Sequence, residues 1–452
     1  MSAVSTPDVV NLFKKVYGQI HDLLPEDYLL QKAIPFSEKQ KVGESWVEAV
    51  ILTNEVGWTL GGSSMTAFEL NPSSAGSVQQ ATVVPYSTVL SSIVPWGVIS
   101  RSAGGGEKAF YDGTKHVVKN NLKSHGKLLE ILRLYGQAPA LLGYVSYYTG
   151  TYRGISFTNG TGTLSINGTN VTFTNGVNTT SNWILFGQGS FAAGIWVGTE
   201  GVVVQQLDSA GAVLKEGKMV AVDPLQGAIQ VDFVPTVASS TTSNRICFKG
   251  QATAQEMVGI NNILSQTGTL FGISTSTYSL WKGNVINNNQ QKLSLNGTPG
   301  ISGQLTGIQG AVAQAVARGG LDGDIDMYVN PRSWANLIVT ESGLRMYDES
   351  YKPGGAENGF QTITFWSQTG KISIHAHRMV KEGEAYGLHL QGDWSRSGSA
   401  EISFTVPGIP GEVIFPLQNQ AGYAFRSYAD QYIFCHAPAK SFVINNINDE
   451  AA

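Results

Sequence analysis

Several residues have types and spacings that could hold a metal ion or act as a nucleophile. Asp322, Asp324 and Asp326 alternate along the chain like the first ligands of a calcium-binding loop. Such a loop also needs glycine at its sixth position and glutamate at its twelfth, where this chain has Met327 and Ser333. The sequence therefore predicts a solvated turn leading into a strand here, rather than a calcium site.

Two histidines and one cysteine are the other candidates for metal binding or catalysis. His375 and His377 are two residues apart in a predicted strand and share one face, but no third or fourth zinc ligand is evident. Cys435 and His436 are sequence neighbours, which is not how a nucleophile and its base usually meet. The chain has no phosphate loop, no G-x-S-x-G and no H-E-x-x-H. We therefore predict a protein that is not an enzyme, with no catalytic residue, metal site or cofactor, whose surface is its function.

The composition favours a β-rich protein with large contact surfaces. The chain has 452 residues, enough for two to four domains, and only 14% of them are charged, well below the usual share. Aromatic residues make up 10%, and contact surfaces are likewise poor in charge and rich in aromatic residues. The net charge of −4 gives no reason to expect nucleic-acid binding by the protein as a whole.

Targeting and redox signals are few. The N-terminal residues lack the apolar run of a secretory signal, and no stretch of eighteen apolar residues could span a membrane. Cys247 and Cys435 lie far apart in the sequence and make no disulfide framework. We therefore expect a reducing compartment and no membrane partner.

A long helix predicted for Glu107–Gln137 is the element around which the chain is organised. Its apolar residues recur at gaps of three, four and seven, as on a helix with one buried face: Phe110, Val117, Val118, Leu122, Leu129 and Leu132. The exposed faces are predicted to carry Lys108, Lys115, Lys119, Lys123, Lys127 and Arg133 against Glu107, Asp112 and Glu130. Two interpretations stay open: a core helix with a solvated basic face, or a helix that lies along a shell or faces a polyanion.

The segment before this helix is almost free of charge. From Gly57 to Ser100 there is no Lys or Arg, and Glu69 is the only acidic residue. Phe68, Leu70 and Tyr86 are among its apolar residues. Such a segment is either an extended loop or hairpin that another surface must cover, or a hairpin folded onto its own domain.

Residues 149–253 have the pattern of a meander of short strands. Asn-Gly pairs begin at Asn159, Asn167 and Asn175, eight residues apart, and Asn-Gly is a strong signal for a two-residue hairpin turn. Further strands are predicted at Trp183–Phe186, Ile195–Val197, Val202–Gln205, Met219–Val222 and Ala228–Phe233. This part of the chain is predicted to be an inserted β-rich domain.

The next part of the chain alternates between helical and strand patterns. Helices are predicted at Ala254–Ser265, Gln304–Arg318 and Pro331–Val339, with Trp334 and Leu337 as core residues. Strands are predicted at Ile325–Val329, Thr362–Trp366, Lys371–His375 and Ala385–Leu390, and more follow from Ile402 to Ile447. The pattern over residues 304–390 predicts a compact α/β layer.

The order of these pieces resembles the major capsid proteins of tailed double-stranded DNA bacteriophages, which have the HK97-type fold. The resembling stretches include SWVEAVILTNEVGWTL, AFYDGTKHVVKNNLKSHGKLLEILRLYGQ, GKISIHAHRMVKEGEAYGL and GYAFRSYADQYIFCHAPAKSFVI. The resemblance spans most of the chain and lies in pattern and order, since none of these stretches is a catalytic signature.

The resemblance implies an α+β, HK97-like fold divided into six parts. Residues 1–52 would be an N-terminal arm with the first strand, 53–101 an extended hairpin like the E-loop, and 102–148 a peripheral domain with the long spine helix. Residues 149–253 would be the inserted β-rich domain, 254–400 the axial domain, and 401–452 C-terminal strands that return to the peripheral domain.

The resemblance also implies a shell subunit that self-assembles into pentamers and hexamers of an icosahedral capsid enclosing double-stranded DNA. Its implied partners are further copies of itself, a portal protein, a scaffolding protein and the packaged DNA, with a decoration protein as a further candidate. It would reside in the virion after assembly in the host cytoplasm. The residues expected at its contacts are Phe68, Leu70, Tyr86, Lys119, Lys123, Lys127 and Trp334.

Other functions fit parts of the sequence. An encapsulin-like compartment shell would share the fold, and the β-rich insertion could instead belong to an adhesin or glycan-binding surface protein. Some members of the capsid family crosslink their shells through an E-loop lysine. The segment 57–100 has no lysine, so we expect no crosslink from it.

Overall fold

The computed structural model describes residues 28–37, 44–63, 67–97, 113–138, 142–145, 150–153, 155–237, 243–297, 306–340, 363–404, 414–417 and 420–449. Residues 107–112 of the predicted spine helix lie outside these residues.

The described part of the chain contains short and long helices and many strands. The α-helices are α1 Leu29–Ala33, α2 Gly113–Tyr135, α3 Ala193–Trp196, α4 Ile260–Ser265, α5 Gly307–Gly319 and α6 Pro331–Thr340, with 3-10 turns at Gln251–Thr253, Ser279–Trp281 and Pro438–Lys440. The strands are β1 Trp46–Ile51, β2 Val78–Val83, β3 Tyr86–Pro95, β4 Gly143–Val145, β5 Gly150–Tyr152, β6 Ile155–Phe157, β7 Thr161–Ile166, β8 Thr169–Thr174, β9 Val177–Asn178, β10 Trp183–Leu185, β11 Val203–Leu207, β12 Val213–Asp223, β13 Ala228–Val231, β14 Asn244–Phe248, β15 Thr269–Leu270, β16 Ile273–Ser274, β17 Asn284–Asn287, β18 Ile325–Val329, β19 Ile363–Trp366, β20 Lys371–Ala376, β21 Ala385–Leu388, β22 Trp394–Ser403, β23 Ile414–Pro416, β24 Gly422–Cys435 and β25 Phe442–Asn445.

Helix α2, called the spine helix below, is the predicted long helix. Its Leu129 and Leu132 are buried as predicted, at 2% and 4% exposure. The prediction was wrong for Leu122, whose side chain is 39% exposed. The helix ends at Tyr135, and at the following Gly136 an added Cβ would lie 2.0 Å from the Met257 carbonyl oxygen, so only glycine fits there.

Polar residues occupy the buried face of the spine helix where the apolar stripe was predicted to continue. Asn121 donates from Nδ2 to Ser92 Oγ at 2.8 Å. The imidazole of His125 lies 2.8 Å from both Thr88 Oγ1 and Ser427 Oγ. Because the covering strands carry hydroxyl groups, hydrogen bonds rather than apolar contacts fill this face, and Leu122 points elsewhere.

The spine helix packs on a sheet whose central member is the long strand β24. This strand pairs antiparallel with β3 along ten residue pairs, from Gly422–Pro95 to Gln431–Tyr86, and also with β22 and β23. Val117 and Val118 of the helix pack against Val94 and Phe425 of this sheet. The C-terminal part of the chain therefore returns to the spine helix.

A six-stranded sheet in the order β17-β25-β21-β18-β20-β19 has α5 and α6 packed against it. All of its strands except β25 lie within residues 254–400, the predicted axial domain. The strands predicted for this sheet and both later helices are found within three residues of their predicted bounds. Asn330 caps α6 as its residue type suggests, since its Oδ1 accepts from the Arg332 N–H at 2.9 Å. The helix predicted for Ala254–Ser265 is shorter, beginning at Ile260, because Ala254 has a left-handed φ of 52°.

The insertion is a nine-stranded sheet in the order β4-β14-β11-β12-β13-β10-β9-β8-β7. Asn159, Asn167 and Asn175 have φ values of 48°, 46° and 48°, and each following glycine is also positive. The three Asn-Gly turns are therefore confirmed. The strand predicted at Ile195–Val197 is wrong, since Ala193–Trp196 forms a fully packed helical turn; a short apolar run fits a buried helix equally well.

Several strand pairings join segments that the predicted domain boundaries separate. The segment 53–101 takes part in two pairings, because β2 pairs with β1 while β3 pairs with β24. The boundary at 400 falls inside β22, which pairs with β24. The insertion sheet includes β4, which precedes residue 149. Its core is continuous with that of the spine helix, since Phe186, Trp196 and Tyr135 belong to one cluster.

Candidate assembly surfaces

The first candidate surface is a hairpin that carries apolar side chains into solvent. We call residues 52–63 with 67–77 the apolar hairpin. Its most exposed large side chains are Trp58 at 80%, Leu60 at 94%, Phe68 at 52% and Leu70 at 79%. Single exposed apolar residues are common on proteins, but a contiguous set marks an interaction site.

Hydrogen bonds between its two sides hold the apolar hairpin in an extended shape. Val56 and Ser74 exchange backbone hydrogen bonds of 3.0 and 2.6 Å. Nearer the tip, the Asn71 side chain donates from Nδ2 to the Trp58 carbonyl oxygen at 2.8 Å. The hairpin therefore has a defined shape, and the four large apolar side chains named above remain more than half exposed.

The base of the apolar hairpin is anchored in the protein core. Ala81 and Val83 of β2 are 0% and 3% exposed. Tyr278 accepts a hydrogen bond at its Oη from Gln79 Nε2 at 3.0 Å. This anchoring sets the direction in which the tip extends.

The structure places the predicted contact residues in three separate regions. Phe68 and Leu70 lie in the apolar hairpin, with side chains 52% and 79% exposed. Tyr86 lies on β3, half-buried against the Leu129–Leu132 cluster of the spine helix. Trp334 is half-buried against the axial core. Sequence reasoning missed Trp58 and Leu60 as contact residues, although both lie in the charge-poor segment that was singled out.

The three predicted lysines lie on the spine helix but in different environments. Lys119 is exposed and Lys123 is half-buried. Lys127 donates from Nζ to the Val197 carbonyl oxygen of the insertion at 2.6 Å. The row of lysines therefore passes from solvent into a contact with the insertion, so it is not one uniform basic face.

The second candidate feature is a buried network of charged groups at the root of the N-terminal arm, which we call the arm root. Glu130 and Arg133 were predicted to be exposed, and both side chains are 0% exposed. Glu130 accepts hydrogen bonds from Arg133 Nη1 at 2.8 Å and from the Leu30 N–H at 2.7 Å. Arg396 donates from Nε to the Ile34 carbonyl oxygen at 2.9 Å. These contacts tie α1 to the spine helix and the C-terminal sheet.

His377 completes the arm root from the axial side. Its Nδ1 accepts from the Met379 N–H at 3.1 Å, so the proton is assigned to Nε2, which donates to Glu130 at 3.2 Å. Burial alone would raise the pKa of Glu130, but the His377 hydrogen bond and the Arg133 charge outweigh it and lower that pKa. Glu130 is therefore held as a carboxylate inside the protein.

The residues considered for metal binding or catalysis have other partners. His375 lies 3.3 Å from Asp326 Oδ1, and Asp322 accepts from Lys440 Nζ at 2.9 Å. Burial raises the pKa of the Cys435 thiol well above its usual value, while the neighbouring His436 bonds Glu48 at 2.8 Å. Among the described residues, no group of three or more His, Cys, Asp or Glu could hold a metal ion.

None of the helices within the described ranges is both long and apolar enough to cross a membrane. No family model matches the chain, and no curated protein matches it.

Solved structures do resemble the chain over almost its full length. The capsid asymmetric unit of cyanophage A-1(L) matches with a TM-score of 0.51 and 10% identity, covering 96% of this chain and 97% of that one. The capsid of the native GTA particle has a TM-score of 0.46 and 7% identity, covering 98% of both chains. The holo-SrpI encapsulin complex from Synechococcus elongatus PCC 7942 has a TM-score of 0.43 and 6% identity, covering 100% and 98%.

The match to the cyanophage capsid subunit shows the fold. The chain has the α+β, HK97-type capsid fold that its sequence predicted. At 10% identity the likeness concerns the fold alone, and a fold by itself does not establish a function.

Proposed function

We propose that the protein is the subunit of a closed protein shell, the major capsid protein of a tailed bacteriophage. The observation that carries the proposal is the apolar hairpin, which extends from a subunit with a capsid fold and exposes Trp58, Leu60 and Leu70. Burying apolar surface contributes about 25 cal/mol per Å², before the costs of association. A shell supplies the neighbouring surface that this hairpin needs.

The finer parts of the proposal follow from the capsid resemblance. The subunits form pentamers and hexamers of an icosahedral shell around double-stranded DNA, and act with a portal and a scaffolding protein, with a decoration protein as a further candidate. The shell is built in the host cytoplasm and becomes part of the virion. The contacts involve the apolar hairpin, Tyr86, the lysines of the spine helix and Trp334, and no catalytic step is needed for assembly.

The insertion gives little support to a glycan-binding function. Carbohydrate-binding surfaces would need exposed aromatic side chains there. Most large aromatic residues of the described insertion are instead packed inside it: Phe157, Phe173, Trp183, Phe186 and Trp196 are all 6% exposed or less, and Phe233 is partly buried against the same core. We therefore retain the shell subunit as the proposed function.

Assembly state is the measurement that tests this proposal. Purified protein, alone and co-expressed with the neighbouring genes of its source genome, should sediment as capsomers or shells and show closed particles by negative-stain microscopy. Nuclease-resistant double-stranded DNA inside particles would support the capsid form, whereas packaged protein would indicate a compartment shell. A strictly monomeric protein under all these conditions would refute the proposal.

A further inference from the structure

A buried carboxyl group lies just after β25. We call residues 446–449, which follow that strand, the tail segment. Its Asp449 is 6% exposed. The Oδ2 atom of Asp449 accepts hydrogen bonds from Ser333 Oγ of α6 at 2.6 Å and from the Gly383 N–H at 2.9 Å. One side-chain oxygen therefore joins the tail segment to α6 and to the loop between β20 and β21.

The other oxygen of this carboxyl group has no such support. Among the described residues, no group donates a hydrogen bond to Oδ1 of Asp449, although the atom is buried. A charged oxygen without a donor is costly inside a protein, whereas a neutral carbonyl oxygen in the same place costs much less. The geometry therefore favours the protonated form of Asp449.

The charged groups around this carboxyl group are held by one another. Glu382 of the same loop pairs with Arg153 of the insertion at 2.7 Å and with Arg332 of α6 at 3.4 Å. The other charged residues of the loop, Lys381 and Glu384, lie 3.9 Å apart and face each other. The two arginines are therefore already engaged by a different carboxylate.

The pKa of Asp449 reflects these surroundings. Burial raises the pKa of Asp449 to about 7, and the charge of Glu382 acts in the same direction, while the Ser333 hydrogen bond and the Arg332 charge oppose it. The group therefore changes its charge in the pH range in which most carboxyl groups are fully ionised.

The loop between β20 and β21 lies between the tail segment and the insertion. On one side, the Ile447 N–H donates to the Gly383 carbonyl oxygen at 3.1 Å, and Ile447 is buried in the axial core. On the other side, the Glu382 N–H donates to the Phe191 carbonyl oxygen of the insertion at 2.8 Å. An added Cβ on Gly383 would lie 2.7 Å from Gly189 Cα, so the two backbones are in close contact. The insertion is therefore attached to a loop that the tail segment also holds.

We propose that Asp449 is a proton-controlled latch: with its proton bound it closes the tail segment onto α6 and the β20–β21 loop, and loss of the proton opens this contact. Ionised Asp449 carries an unsupported charged oxygen in the core, so the tail segment moves until water reaches that oxygen. The loop is then held from the insertion side only, which loosens the attachment of the insertion. The latch belongs to the single subunit, so it operates whether or not subunits assemble into a shell.

The first test compares the wild-type subunit with Asp449→Asn, which keeps the shape of the side chain but cannot ionise. Folding raises the pKa of Asp449 from 3.8 to about 7. Its proton therefore stabilises the folded state fully below about pH 4, and this contribution is lost as the pH rises to about 7. The unfolding equilibrium constant of the wild type, divided by that of the variant, should rise by up to about tenfold per pH unit across this window and stay constant above it. Urea unfolding measures both proteins, and parallel profiles would overturn the inference.

Hydrogen exchange measured by mass spectrometry follows the opening in the wild-type protein itself. Peptides that cover the tail segment and Gly383 should lose protection between about pH 6 and about pH 8, one unit on either side of the pKa of about 7, after correction for the faster chemical exchange at higher pH. A peptide that covers β18, in the same sheet, should keep its protection, and so should all three regions in Asp449→Asn. Unchanged protection of the wild-type tail segment across this range would contradict the latch.

A serine substitution tests the direction of the switch. The Ser333 hydrogen bond lowers the pKa of Asp449, so Ser333→Ala should move the opening of the tail segment to higher pH. The matched control is Ser265→Ala, because the Ser265 hydroxyl donates to the Asn261 carbonyl oxygen at 2.6 Å and does not contact Asp449; it should leave the midpoint of opening unchanged. A shift to lower pH in Ser333→Ala, or the same shift in both variants, would refute the assignment of the latch to Asp449.

Discussion

The apolar hairpin and the second half of the spine helix place their side chains in opposite ways. In the hairpin, Trp58 and Leu60 are 80% and 94% exposed. In the spine helix, the charged side chains of Glu130 and Arg133 are 0% exposed. The buried charges find partners within one chain, whereas these apolar groups stay exposed next to the other described residues. The comparison separates the contacts that fold the subunit from those left for a neighbour.

The comparison predicts the largest effect for a charge placed on the inner side of the spine helix. Leu129→Asp should destabilise the subunit by about 5 kcal/mol or more, because an unpaired carboxylate would enter the core. The matched variant is Leu122→Asp, whose site is 39% exposed, and we expect it to change the free energy of unfolding by less than about 0.5 kcal/mol. Urea unfolding followed by circular dichroism measures both. Equal losses of stability in the two variants would mean that the spine helix buries a different face.

Removing the central carboxylate of the arm root should have the next largest effect. Glu130→Ala leaves Arg133 and His377 buried without their partner, at a cost of about 3–5 kcal/mol. The control is Glu216→Ala, which breaks an ion pair whose members are 37% and 61% exposed; because such a surface pair contributes little, it should leave the free energy of unfolding almost unchanged.

Glu130→Ala should also change how the stability of the subunit depends on pH. The pKa of Glu130 is lowered in the folded protein, so its contribution is present above the unfolded pKa of about 4.5 and is lost as the pH falls further. Wild-type stability should therefore decrease more steeply below about pH 4.5 than that of Glu130→Ala. Parallel pH profiles for the two proteins would show that Glu130 does not carry this dependence.

The smallest effect on folding is expected for substitution of an exposed side chain of the apolar hairpin. Trp58→Ser should change the free energy of unfolding of unassembled subunits by less than about 0.5 kcal/mol, yet should weaken assembly measured by light scattering. Trp196→Ser, at a tryptophan that is 0% exposed, should instead cost about 3–5 kcal/mol in folding. A strongly destabilised Trp58→Ser subunit would mean that the hairpin packs on its own chain.

The turns, caps and strands that depend on a few neighbouring residues could be predicted from the sequence. The turns at Asn159, Asn167 and Asn175 follow from the positive φ that Asn-Gly accepts. The cap at Asn330 and the alternating strand at Ile325–Val329 are likewise properties of a few neighbouring residues. The periodicity of apolar residues predicted the spine helix, but it wrongly placed Leu122 on the buried side of that helix.

Contacts between distant parts of the chain could not be predicted from one sequence. Glu130 and Arg133 look like solvent-facing residues until His377 and Gln431 are brought beside them from 247 and 298 residues away. Likewise, Lys127 looks like a solvent-facing residue until the Val197 carbonyl oxygen of the insertion, 70 residues away, is brought beside its Nζ. The apolar hairpin is a different case, because the composition of the sequence alone was enough to single it out as a charge-poor segment.

That absence of charge also determines which proteases can cut the hairpin. From Val42 to Ser100 the sequence contains no Lys or Arg, so trypsin finds no site there in any state of the protein. Chymotrypsin, in contrast, has Trp58, Leu60, Phe68 and Leu70 within reach on the isolated subunit. The two enzymes together therefore report on this one segment: cleavage by chymotrypsin alone marks a free hairpin, and its loss on assembly marks a covered one.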